Sequence, residues 1–178
     1  MKLKKTILGL MAGGIVGFSV FTQLVHAASD QPVSTLPSEQ NMILLTDTGE
    51  PEAKRKLSDY RGEVVVVQFW ATYCGYCKAN FPKLSALSQQ FEGQGVKVIA
   101  VSTDGDGDTL VSYIQNEHPG VKIAWDVSDK LSSAYEVSSI PHTYIFDKNG
   151  NVIHQQIGAY SSVDVEVLET KIRAAIES

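Results

Sequence analysis

Runs of apolar residues along the chain alternate in kind between those that suit buried strands and those that suit one face of a helix. Glu63 to Trp70 (EVVVVQFW) is a nearly unbroken β-branched and aromatic run, the pattern of a strand buried on both sides. Val96 to Val101 (VKVIAV) repeats it, and Val121 to Trp125 is a shorter version. Asn41 to Thr46 carries a brief apolar stretch that reads as an edge strand. Between these runs the period changes. Phe81, Leu84, Leu87 and Phe91 recur at helical spacing in Lys78 to Phe91, with Pro82 inside the pattern predicting a kink. Leu110, Tyr113 and Ile114 share a face of Thr109 to Glu117, Asp129 to Glu136 reads as a short helix, and Val163 to Ile176 as an amphipathic one. Thr143 to Phe146 and Val152 to Ile157 flank Lys148-Asn149-Gly150, a hairpin turn signal.

Strands alternating with helices and finishing in a hairpin and a helix predict an α/β domain whose mixed sheet is covered on both faces. This domain spans residues 41–178. Residues 28–40, polar with Pro32 and Pro37, read as a linker. The first 27 residues differ in kind: Lys2, Lys4 and Lys5 precede an uncharged run from Thr6 to Val25, with small residues at Ala27, Ala28 and Ser29. That is the anatomy of a secretory signal with a cut after Ala27, an uncleaved anchor being the alternative. Either way the body is expected on the extracytoplasmic side, such as the periplasm, where thiols tend to be oxidised.

Composition changes the picture in one respect. The 178 residues carry 15 Lys and Arg against 20 Asp and Glu, and without the first 27 the basic count falls to 12. So acidic a body repels phosphate backbones, and no basic patch interleaved with aromatics is present, which argues against nucleic acid as a partner.

The two cysteines, Cys74 and Cys77, follow the longest buried run and open a helix (WATYCGYC). As a structural staple the pair closes too short a loop to gain more than about 2 kcal/mol. A zinc site would need a second pair of ligands at matching spacing. A redox role has a mechanism: a thiol at a helix N-terminus is stabilised as thiolate, and a partner three residues on can resolve a mixed disulfide.

Here the chain resembles a family. Lys56-Leu57-Ser58-Asp59-Tyr60-Arg61-Gly62, then Val64 to Cys77 and Phe81-Pro82, resembles the TlpA/ResA group of secreted thioredoxin-like proteins, as does Ile140 to Gly150 (IPHTYIFDKNG). The resemblance implies a thioredoxin fold with Pro141 as a cis proline against the disulfide. It also implies a thiol–disulfide oxidoreductase working without a cofactor or metal, with Cys74 as nucleophile and Cys77 as resolving thiol. Ile140 and Pro141 would receive a client segment as an added strand, and Trp70 and Tyr73 would shape an apolar rim, core packing being the other reading of Trp70. Clients would be protein disulfides, including the haem-site cysteines of apocytochrome c. A membrane electron donor of the DsbD/CcdA kind would re-reduce a protein acting as a monomer.

Some positions depart from the pattern. Thioredoxin has a buried acid where this chain has Gln68, and the TlpA/ResA group often has Glu where it has Asn80; amides cannot accept a proton as carboxylates do. His142 follows the proline in place of a small hydroxyl residue, either a group tuning Cys74 or a surface residue. His26, His118 and His154 read as solvated. Gly75 and Tyr76 between the cysteines resemble disulfide isomerases of the DsbC type, leaving an oxidase or isomerase as the alternative direction, although an isomerase would want a dimerisation domain. A Cu(I) module built from Cys74, Cys77 and His142 is the competing class. Asp104 to Asp108 (DGDGD) mimics the start of a calcium loop, but Thr109 and Gln115 stand where its glycine and bidentate Glu belong. It reads instead as an acidic turn ending in a helix N-cap.

Overall fold

The computed structural model describes residues 39–178; the signal or anchor, and nearly all of the linker, lie outside the described residues. Seven strands form one mixed sheet: β1 (Asn41–Leu45), β2 (Pro51–Lys56), β3 (Val64–Trp70), β4 (Val96–Ser102), β5 (Lys122–Trp125), β6 (His142–Phe146) and β7 (Val152–Ile157), in the order β2-β1-β5-β4-β3-β6-β7. β3, β4 and β5 run parallel, and the remaining neighbours are antiparallel. The helices are α1 (Gly75–Gln90), α2 (Gly107–Glu117), α3 (Lys130–Ala134) and α4 (Ser162–Glu177), with a 3₁₀ turn at Leu57–Tyr60.

β3 is buried at every position, as its composition requires. Its residues divide by parity, since successive side chains leave opposite faces of a strand. Val64, Val66 and Trp70 pack with Phe81, Leu84 and Leu87 of α1, Leu110 and Ile114 of α2, and Leu168 and Ile172 of α4. Val65, Val67 and Phe69 pack on the other face with Leu57, Leu131, Tyr135, Tyr144 and Phe146. Both faces are thus covered.

One expectation changes. The strand at Asn41–Leu45 is not an edge: it lies between β5 and β2. The edge is β2, whose sequence PEAKRK carries no apolar signal. Its order comes from backbone pairing to β1, and its charges discourage further pairing, as suits an edge. α1 runs through Pro82 as one continuous helix. Pro82 lacks the N–H that would reach the Lys78 carbonyl, and its ring is exposed.

Leu84 has no exposed surface and joins α1 to the sheet. Leu84→Ala is expected to lower unfolding free energy by about 2–5 kcal/mol, read from urea midpoints at unchanged slope.

Candidate active site

β3 ends at Trp70, and a turn closed by Cys74 N–H donating to the Ala71 carbonyl (3.0 Å) delivers Cys74 to the start of α1. Cys74 is the N-cap. Its Sγ accepts from the Cys77 backbone N–H at 3.1 Å, the place a Ser or Asp oxygen takes at an ordinary helix start. The two cysteines are joined in a disulfide with Cα atoms 5.3 Å apart. They differ in access: Cys77 is wholly buried, Cys74 partly exposed. The pair therefore presents one sulfur to a partner while a second waits beneath it, next to the positive end of a helix.

The same end of the sheet holds the second motif. Phe69 of β3 faces His142 of β6, so Pro141 lies one step beyond, level with Trp70. The Ile140–Pro141 bond is cis. The Pro141 carbonyl accepts from Gly158 N–H (2.8 Å), tying the segment after β7 to it. Ile140 and Cys74 pack on the same core cluster. Tyr73 and Tyr76 are 80% and 75% exposed beside the disulfide, whereas Trp70 is wholly buried, its ring edge-on to Phe81 at 4.8 Å. Of the two readings of Trp70, the structure takes core packing; it forms no part of an exposed rim.

Beneath Cys77 lies a line of uncharged polar groups. Gln68 Nε2 donates to the Cys77 carbonyl (3.5 Å), Asn80 Nδ2 donates to Gln68 Oε1 (2.7 Å), and Tyr160 N–H donates to Asn80 Oδ1 (2.9 Å). The Tyr160 hydroxyl meets Thr143 Oγ1 at 2.5 Å, and Thr143 is the register partner of Gln68. Lys83 Nζ adds a bond to the Tyr160 carbonyl. Burial pushes the Tyr160 phenol far above its ordinary range, so it stays protonated. Tyr160 was not legible in advance: it stands 80 residues from Asn80 in sequence, with no local pattern to announce the bond. Thr143 was passed over as one residue of a strand.

His142 departs from both sequence readings. It is 2% exposed, hence no surface residue, and it shares the parity of Tyr144 and Phe146, which face away from the Cys77 side of the sheet. Its ring stacks on Tyr144 at 4.7 Å and its Nε2 lies 2.6 Å from Gln155 Nε2. With the amide as donor the ring proton sits on Nδ1, which has no partner. His118 is exposed, as expected; His154 is instead partly buried, with its Nε2 enclosed and unpartnered. Among the described residues, no three His, Cys, Asp or Glu side chains are gathered to hold a metal ion, so the Cu(I) alternative finds no support in the geometry. In the calcium-like stretch, Asp106 caps α2, accepting from the N–H groups of Asp108 and Thr109. The cap falls two residues earlier than a helix starting at Thr109 implies.

A helix-capping cysteine over a buried second one, beside a cis proline in a mixed sheet, defines a thioredoxin-fold thiol–disulfide oxidoreductase. The comparisons agree. The AhpC/TSA family model matches residues 40–155, and the chain belongs to that family. The thiol-disulfide oxidoreductase ResA of Geobacillus kaustophilus is 29% identical over 163 residues, covering 91% of this chain and 90% of the relative. ResA of Bacillus anthracis is 29% identical over 173 residues, covering 96% and 95%. Among solved structures, a Chlorobium tepidum protein assigned as the thiol:disulfide interchange protein DsbE superposes with a TM-score of 0.68 at 28% identity, over 80% of this chain and 98% of that one.

Desolvation lowers the affinity of His142 and His154 for a proton below that of an unfolded histidine. Above the unfolded value of about 6.5 both states are neutral and neither histidine affects stability. As pH falls through it, the unfolded chain takes up protons that the folded one refuses, so stability is lost with falling pH. Tm is therefore expected to fall between pH 7 and pH 5, and to fall less in His142→Phe. Equal slopes for the two proteins would contradict this.

Proposed function

We propose that this protein is a reductant of selected protein disulfides on the extracytoplasmic side of the membrane. The observation that carries the reading is the unequal access of the two sulfurs, with Cys74 partly exposed at a helix N-cap and Cys77 buried. Cys74 thiolate attacks a client disulfide, forming the mixed disulfide and releasing one client sulfur as thiolate. Cys77 then attacks Cys74 Sγ, the second client sulfur leaves as thiolate, and the Cys74–Cys77 disulfide remains. Two electrons have passed to the client. The groups around Cys77 are amides and hydroxyls already engaged with one another, so the leaving client thiolate takes the resolving thiol's proton.

Ile140 and Pro141 receive the client as an extended segment, as the family resemblance implies. The exposed rings of Tyr73 and Tyr76 give that segment an apolar rim, Gly75 leaves room between them and Gln68 and Asn80 hold the floor. The leader-like first 27 residues support the compartment. The TlpA/ResA resemblance implies clients of the cytochrome c maturation kind, and a dithiol spent in each turnover calls for a membrane electron donor such as those of the DsbD/CcdA type.

Cys77→Ser tests the roles. It is expected to accumulate mixed disulfides through Cys74 with protein disulfides, seen as non-reducing gel shifts that dithiothreitol collapses. Release of clients at the rate of the unaltered protein would refute the assignment.

A further inference from the structure

Asp104 is an acid inside the protein. It is 6% exposed, and no Lys or Arg pairs with it among the described residues. Its carboxylate is met only by donors. Thr72 N–H reaches both oxygens (3.1 and 3.0 Å), and the Thr72 and Ser102 hydroxyls each donate at 2.7 Å. That acceptor-only pattern is the one of an ionised carboxyl group. Its backbone is held as well, since Asp104 N–H donates to Ser102 Oγ (3.0 Å) and its carbonyl accepts from Trp125 Nε1 (2.7 Å). Close approach at Gly107 fixes the Trp125 ring, because a Cβ there would come within 2.6 Å of it.

What Asp104 grips is the loop that carries the reactive cysteine. Thr72 stands two residues before Cys74 in the Ala71–Cys74 turn, and Thr103 anchors the loop's other end through Trp70 O (2.8 Å). We propose that Asp104 is a positioning residue of the redox site: it holds the loop through Thr72, and its buried charge opposes the thiolate of Cys74, biasing the couple towards the disulfide. The chain geometry puts the carboxylate within about a dozen ångströms of the Cys74 sulfur, and a path through protein screens such a charge less than water does. The opposing influences are the α1 N-terminus and the Cys77 N–H. The charged groups on the neighbouring elements are Asp106 and Asp108 at the start of α2, and Lys78 of α1, which lies over the Tyr113 ring at 5.5 Å; all three are unchanged in the variants below. A less stable thiolate makes the dithiol the better reductant, the reverse of what makes a strong oxidant.

The inference rests on Cys74 being the attacking thiol. The test compares Asp104→Asn and Thr72→Val in the full chain, reduced. Thiolate formation is followed by ultraviolet absorbance against pH, and alkylation by iodoacetamide is mapped to a cysteine by peptide mass. Asp104→Asn removes the charge and is expected to lower the Cys74 pKa by about half a unit or more. It is also expected to shift the equilibrium with glutathione about three-fold or more towards the dithiol. Thr72→Val keeps the charge but strips a compensating donor, so its Cys74 pKa is expected to stay or rise. An unchanged Cys74 pKa in folded Asp104→Asn overturns the proposal, and so does a fall in Thr72→Val, which keeps the test sharp should Asp104→Asn fail to fold. Alkylation landing first on Cys77 would refute the role of Cys74 instead, a separate result.

Discussion

The bond from the Cys77 N–H to Cys74 Sγ depends on one constraint: a strand buried on both faces stops, and a helix must begin within four residues. β3 has no exposed position, so its direction is set by packing on two sides, and α1 is set by Phe81, Leu84 and Leu87 against the same strand. The residue between them has to cap a helix whose first N–H groups lack partners. Placing cysteine there turns a structural requirement into chemistry, because the donors that would satisfy an Asp or Ser oxygen are offered to sulfur. The second cysteine, one turn on, is buried in the core, whereas Cys74 is partly exposed.

Around this junction the protein separates charge from neutrality. Under Cys77 the buried polar atoms are amides and hydroxyls that satisfy one another, joining α1 to β3 and to the segment after β7 without a titratable carboxylate. On the other side of the junction a carboxylate is buried and engaged by four hydrogen bonds from the loop and from the end of β4. Buried polar groups must be paired or they destabilise, and both arrangements meet that demand. Their electrical consequences differ. The floor holds no carboxylate, and the wall holds one.

Much of this was legible in the chain. The buried strands declare themselves by unbroken β-branched runs, the helices by their period, and the CxxC by its place between the two. What stayed hidden was hidden for physical reasons. β2 owes its order to backbone bonds and has no apolar side chain pattern to read. Trp70 is equally consistent with a rim and a core until Phe81 and Tyr113 are seen against it. His142 lay one residue from the active proline, but alternation along β6 turns it to the opposite face. Asp104 was visible as part of an acidic turn; its grip on Thr72 spans 32 residues and requires the parallel pairing of β3 and β4 to exist.

The central claim is that this dithiol gives electrons away. It is tested most directly by the reduction potential of the Cys74/Cys77 couple, followed by tryptophan fluorescence in glutathione and dithiothreitol buffers. The account predicts a value near that of thioredoxin, about −270 mV. A value near that of DsbA, about −120 mV, would make the protein an oxidant and contradict it.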